Sequence, residues 1–317
     1  MLEQCTKIAG IPARSLESLI EDILTERTNF LDDTQSQDSV FVHQASYSAV
    51  KKAVDHETLI RLVLPAFPAK SSNRRKTLGP LPDMGELLGL EYLNNLCSRI
   101  ASIYTPGAKL VICSDGRVFN DLVWVDDDSV NRYRKSLEKM ISERSLNYLS
   151  IFSLEDQFAH CDYARMRAEF IETYCDVLAV LKQRIFEDAD SRAMFNGIHR
   201  FIFEDAICHE ENRMSRNQIR NKAKGITYQV IQRSDGWSRL IAECFPGSVR
   251  LSIHPHFASS PKLGVKLVNA GDRWATPWHN CVLRDHTGFR LIKHQEALEL
   301  GARLHYFENQ YAYFDKS

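Results

Sequence analysis

The strongest constraint on the fold lies between Leu59 and Leu154, where short apolar runs alternate with longer segments of helical period. L-I-R-L-V-L-P-A-F-P (59–68) reads as a strand stopped by prolines, Met84 to Ile103 carries helical spacing, and K-L-V-I-C (109–113) is a nearly unbroken apolar strand. Ser129 to Ser142 then reads as a helix, and L-N-Y-L-S-I-F-S-L (146–154) as a third strand. Strand, helix, strand, helix, strand predicts a parallel α/β unit with right-handed crossovers, in which ligands gather at the carboxyl ends of the strands. The fold class that follows is α/β: a Rossmann-like mixed sheet with a parallel core, flanking helices and a strand-rich C-terminal portion.

The rest of the chain is organised around that unit. Residues 1–54 read as an N-terminal helix, Ser15 to Leu31, followed by a flexible polar loop, D-D-T-Q-S-Q-D-S (32–39). Residues 55–317 read as one α/β catalytic domain with a helical, charge-rich segment at about 155–222. From Gly225 the pattern turns to strands: I-T-Y-Q-V-I-Q-R, W-S-R-L-I-A-E-C-F, S-V-R-L-S-I-H, L-G-V-K-L-V, N-C-V-L-R and F-R-L-I-K. Forty Lys plus Arg against 41 Asp plus Glu leave a formal charge of −1, so no global basic field favours nucleic acid or an anionic membrane, and any anion site must be local. Eight scattered cysteines without a C-x-x-C, among them Cys5 and Cys161, suit a reducing compartment. The N-terminus lacks a signal-peptide pattern and no window is apolar enough for a membrane span, so a cytoplasmic protein is expected.

Four clusters carry candidate chemistry. P-A-F-P-A-K-S-S-N-R-R-K-T (65–77) follows the first strand and sets Lys70, Ser71, Ser72, Arg74 and Lys76 where an anion is bound, unless it is merely a solvated basic loop. S-D-G-R-V-F-N-D (114–121) ends the second strand; Asp115 there can accept a proton or orient an amine, and Arg117 can hold a carboxylate. A second Ser-Asp-Gly, 234–236, lies between two alternating segments and reads as a hairpin turn beside Arg233. In R-L-S-I-H-P-H (250–256), an extended chain points His254 and His256 to one face, suiting acid/base work or, with further ligands, a metal. T-P-W-H-N (276–280) offers Trp278 and His279 for a flat organic substrate or for packing.

These stretches, with Q-R-S-D-G-W-S-R-L-I (232–241), resemble in the same order the pyoverdine/dityrosine biosynthesis family, whose bacterial members include isocyanide (isonitrile) synthases. The resemblance runs from about residue 55 to about residue 290. It implies an enzyme that converts the α-amine of tyrosine or tryptophan to an isonitrile with a carbon from ribulose 5-phosphate, a co-substrate; no cofactor or metal is expected. A separate iron- and 2-oxoglutarate-dependent oxygenase is the implied pathway partner. On this reading Lys70, Ser71, Ser72, Arg74 and Lys76 cradle the phosphate, with Schiff-base formation a second role open to Lys70. Arg117 or Arg233 clamps the amino-acid carboxylate, Asp121 and Trp278 line the substrate, and Asp115, His254, His256 and His279 move protons. Three alternatives stay open: N-formylation of tyrosine, as in fungal relatives; a non-catalytic binding protein for an amino acid or sugar phosphate; and a metal-dependent hydrolase built on His254-Pro255-His256.

Overall fold

The computed structural model describes residues 15–29, 44–158, 162–209, 214–256 and 260–316. The polar run 32–39, Cys5 and Cys161 lie outside the described residues. Helix α1 (Leu16–Thr25) starts at Ser15, whose side chain accepts the Ser18 N–H, and it buries Ile20 and Leu24. Helix α2 (Gln44–Asp55) leads to strand β1 (Ile60–Pro65), and helix α3 (Met84–Ile103) follows, opened by a capping box between Asp83 and Glu86. Strand β2 (Ala108–Cys113), the single turn α4 (Gly116–Phe119), helix α5 (Asp127–Glu143) and strand β3 (Leu149–Phe152) complete the expected unit.

A helical stretch comes next: α6 (Leu154–Gln157), α7 (Tyr163–Tyr174), α8 (Leu178–Glu187), α9 (Ala189–Cys208) and α10 (Arg216–Cys244). Strands β4 (Val249–Ser252) and β5 (Leu263–Gly264) precede β6 (Cys281–Asp285), β7 (Gly288–Ile292), α11 (His294–Glu299), β8 (Arg303–Phe307) and β9 (Tyr311–Asp315). Among the described residues no helix is long and apolar enough to cross a membrane.

The first sheet is parallel throughout, in the order β3-β2-β1-β4-β5. Alternation along its strands assigns the two faces. Leu62, Leu64, Leu110 and Ile112 join the core formed with Leu87, Leu90 and Leu93 of α3 and Tyr133 and Leu137 of α5. Val63 and Cys113 point the other way, into a second core with Phe170 of α7 and Trp237, Leu240 and Ile241 of α10. A second sheet, β7-β6-β9-β8, sets Val282, Leu291 and Tyr313 against α3, which is therefore enclosed between two sheets. Its strands β8 and β9 lie beyond any strand expected from the sequence.

The first helix ends at Thr25 rather than Leu31 and the strand expected at 263–268 spans only Leu263–Gly264, but the largest departure from expectation is elsewhere. The segments 226–233 and 237–245, read as paired strands, belong to the 29-residue helix α10. Ser234-Asp235-Gly236 is accordingly no hairpin turn. The local pattern misleads because Ile226, Thr227, Tyr228, Val230 and Ile231 favour strands, whereas the helix is stabilised by burying Ile219, Ala223, Ile226, Trp237, Leu240 and Ile241 at three- and four-residue spacing. Gly236 serves close packing: a Cβ there would sit 2.6 Å from Cys175 Sγ and 3.2 Å from Phe170. The six described cysteines are all free thiols.

Candidate functional site

From the central strand β1 the sheet extends one way to β2 and β3 and the other way to β4 and β5, so its topological switch point lies between β1 and β4. Three described segments follow the carboxyl ends near there: 66–77 after β1, 114–115 after β2 and 253–256 after β4.

The corner after β2 is held from both sides. Ser114 Oγ donates to the Phe67 carbonyl and the Ser114 N–H to the Phe152 carbonyl, each at 2.8 Å. Gly116 lies so close to the loop after β1 that a Cβ would fall 2.0 Å from the Pro68 oxygen, which excludes every other residue. Between these fixed neighbours Asp115 carries an Oδ1 that is buried and has no hydrogen-bond partner among the described residues. Burial without a compensating cation raises its carboxyl from the ordinary 3.8 to about 7. A carboxyl in that range both gives and takes a proton near neutrality.

The loop after β1 has its cations otherwise engaged. Lys70 Nζ lies 2.8 Å from Asp83 Oδ2 and 2.9 Å from Glu86 Oε2, and it donates to the carbonyls of Pro277 and Asn280 at 2.9 and 3.3 Å. Burial works against its charge, but the two carboxylates outweigh it and hold the ammonium above the ordinary lysine range. Lys70 thus has no free proton for a phosphate and is no amine for a Schiff base. Glu86 also accepts from the Tyr133 hydroxyl at 3.1 Å, and burial raises its own pKa. The buried Lys76 pairs with Asp205 at 2.6 Å and lies 4.2 Å over the Phe201 ring. Ser71 donates its N–H to the Trp278 carbonyl, while Ser72 and Arg74 are exposed, Arg74 donating to the Leu78 carbonyl. The expected phosphate cradle is instead a brace between α3, α9 and the turn 277–280. Its neutralising acids, Asp83, Glu86 and Asp205, come from outside the loop. D-M-G-E at 83–86 could have been read as a capping box, but nothing in the sequence assigns it Lys70.

That brace carries His279. Its Nδ1 lies 3.1 Å from Thr276 Oγ1 and its ring 4.8 Å from the Phe201 ring. Burial lowers its pKa to about 3; Asp205 pulls the other way, and Lys76, His254 and Lys70 reinforce the fall. His254 keeps solvent access and packs on Trp274 at 5.7 Å. Crowding around its ring nevertheless holds it below the ordinary imidazole range, with His256 and Lys262 adding to the effect. His256 is lowered by burial and by Lys262, and its Nε2 is buried without a partner among the described residues. All three imidazoles are thus shifted toward their neutral forms, with His254 coupled electrostatically to His256 and to His279. Trp278 is buried and packs on Phe67 at 5.2 Å, a wall rather than an open aromatic surface.

The two expected carboxylate clamps are also spoken for. Arg117 is 1% exposed, pairs with Glu155 at 2.8 Å and with Asp127, and stacks 3.6 Å from the Tyr163 ring. Arg233 binds both oxygens of Asp121, at 2.6 and 3.0 Å, and the Val118 carbonyl at 2.8 Å. Both arginines, and Asp121 with them, fasten α4 and hence the corner that presents Asp115. Among the described residues no three His, Cys, Asp or Glu side chains converge as a metal-holding group.

Residues 50–304 match the profile of the pyoverdine/dityrosine biosynthesis proteins. This chain belongs to that family. Its pyoverdine/dityrosine relatives include the L-tryptophan isonitrile synthase AmbI2 of Fischerella ambigua, 44% identical over 80% of this chain and 77% of the relative. An L-tyrosine isonitrile synthase of Pseudomonas aeruginosa is 35% identical over 93% of this chain and 90% of its own. The crystal structure of PvcA from Pseudomonas aeruginosa superposes with a TM-score of 0.88 at 33% identity, covering 96% of this chain and all of that one. A member of the pyoverdine/dityrosine family this similar to isonitrile synthases over most of its length is an enzyme of that kind.

Proposed function

We propose that this isonitrile synthase acts on the α-amine of tyrosine or tryptophan and takes the isonitrile carbon from ribulose 5-phosphate. The amino-acid class is supported by the names of its relatives, and the sugar phosphate by what the family resemblance implies. Joining an amine to a ketone and then fragmenting the sugar requires repeated proton transfer at more than one position.

The observation that carries the reading is Asp115. Its carboxyl titrates near neutrality because it is buried and unpaired, and it stands at the end of β2 while His254 and His256 follow β4. With β1 between them, these strand ends lie two strand spacings apart, roughly 10 Å. An amino acid condensed with a five-carbon sugar spans such a gap, so Asp115 serves one end of the adduct and the neutral imidazoles the other. The isonitrile acid that results is a substrate for an iron- and 2-oxoglutarate-dependent oxygenase.

The test is to incubate the purified protein with tyrosine or tryptophan and ribulose 5-phosphate labelled with ¹³C at C2, and to follow products by mass spectrometry. Label in an isonitrile amino acid is expected. Label in a product heavier by one water identifies the N-formyl amino acid instead, and no label with either amino acid refutes the donor.

A further inference from the structure

We propose that Arg250, Lys262 and His256 form an anion site on the α10 face of β4 and β5, and that it takes the phosphate monoester of the sugar co-substrate. The identity of the ligand rests on the function proposed above; the site itself rests on geometry.

Leu251 pairs with Leu263 and Ser252 with Gly264 in the parallel β4–β5 ladder. Arg250 and Lys262 each precede these pairs by one residue, so both project from the face opposite Leu251 and Leu263, which enter the α3-side core. Arg250 reaches Ser238 of α10 through long contacts, Nη1 to the carbonyl at 3.4 Å and Nη2 to Oγ at 3.3 Å, and its Nε is buried with no partner among the described residues. Lys262 is half-buried and feels the charges of Arg250 and, at longer range, Asp235, whose carboxylate is already paired with Arg184 at 2.5 Å.

His256 supplies a neutral donor. Ser260 Oγ accepts the Lys262 N–H at 3.1 Å, so its own hydrogen is available to His256 Nδ1 at 3.3 Å. In the tautomer that accepts this hydrogen at Nδ1, the ring proton is on Nε2, the atom that is buried without a partner among the described residues.

The contrast with the other cations is the argument. The buried cations Lys70, Lys76, Arg117 and Arg233 each hold a carboxylate within hydrogen-bond distance. Arg250 and Lys262 instead stand at adjacent positions, each one residue before the Leu251–Leu263 pair, and neither is ion-paired with a carboxylate among the described residues; burial and the neighbouring Arg250 lower the pKa of Lys262. Two such charges with a neutral N–H beside them are compensated by a dianion that offers several acceptor oxygens. Lys262 also lies within electrostatic reach of His254 and His256, so an anion bound there adjoins the histidine group.

The experiment measures inorganic phosphate binding to the full chain by calorimetry, and in parallel the KM for ribulose 5-phosphate and for the aromatic amino acid. Lys262→Gln, a change at a half-buried position, should weaken phosphate binding and raise the sugar-phosphate KM about tenfold each, with the amino-acid KM moving less than twofold. Arg250→Lys should do the same more mildly, because one fork of donors is lost while the charge stays. Unfolding curves for both variants establish that they fold. Wild-type protein that binds no phosphate, or variants that bind it as tightly as wild type, overturns the site. A sugar-phosphate KM that rises in Arg74→Ala and not in Lys262→Gln overturns it in favour of the 70–76 loop. Phosphate binding lost in Lys262→Gln, together with no label transfer by the wild type, upholds the site and refutes only the assigned co-substrate.

Discussion

Replacing Asp115 with asparagine should make the protein more stable and nearly inactive. The side chain keeps its shape but loses the charge that its surroundings disfavour. In the folded protein the carboxyl ionises at about 7 instead of 3.8, so between those values the unfolded chain has released a proton that the folded chain retains. Wild-type stability therefore falls as pH rises through that window, by about 1.4 kcal/mol per unit, and levels off above about pH 7 with a ceiling near 4 kcal/mol. The side chain is not wholly enclosed, which makes this an upper bound. Asparagine has no such dependence. Urea unfolding of both proteins should place the variant ahead by an amount that grows by about 2–3 kcal/mol from pH 5 to pH 8. The wild-type kcat/KM should rise with a midpoint near pH 7 as the base ionises, and the variant should lose at least two orders of magnitude together with that midpoint. A stability difference that stays flat from pH 5 to pH 8, or full activity in the variant, would refute the assignment.

Lys70→Met should destabilise the fold by about 3–5 kcal/mol because Asp83 and Glu86 are left as buried charges, and adding Glu86→Gln should recover part of the loss. Urea unfolding of the single and double variants checks this; equal losses would mean the pair carries no coupling. Gly236→Ala, which in an exposed helix would gain about 1 kcal/mol, should here cost about 1–3 kcal/mol because the new methyl meets Cys175 and Phe170. A raised melting temperature would count against close packing of α7 and α10. His279→Asn should lower kcat while leaving the pH midpoint near 7 in place, since that imidazole is already neutral far below it. Disappearance of the midpoint would move the titrating role from Asp115 to His279.

Much of the fold was legible because periodicity is a local property. Met84–Ile103 is a helix over the expected span, β1 and β3 fall within the expected apolar runs, and β2 starts one residue before its own. The end of α10 was not legible, because residues 226–231 carry strand-favouring side chains and only the tertiary partners Phe170, Tyr174 and Cys175 make a helix with a glycine at 236 the better solution. The two Ser-Asp-Gly corners differ for the same reason: one glycine admits the Pro68 backbone, the other a neighbouring helix.

What the sequence alone determined was the set of chemical groups and the strand ends that carry them: Asp115 after β2, the histidines after β4, and the basic loop after β1. Which of those groups are free was decided by the tertiary structure. Charge is neutralised by whatever carboxylate folding brings within a few ångströms, and Asp83, Glu86, Asp121 and Asp205 fall to Lys70, Arg233 and Lys76, the cations that looked most available. Among the described residues Asp115 Oδ1 finds no hydrogen-bond partner and neither Arg250 nor Lys262 is ion-paired with a carboxylate, which is why the proposed function and the proposed anion site are built on them.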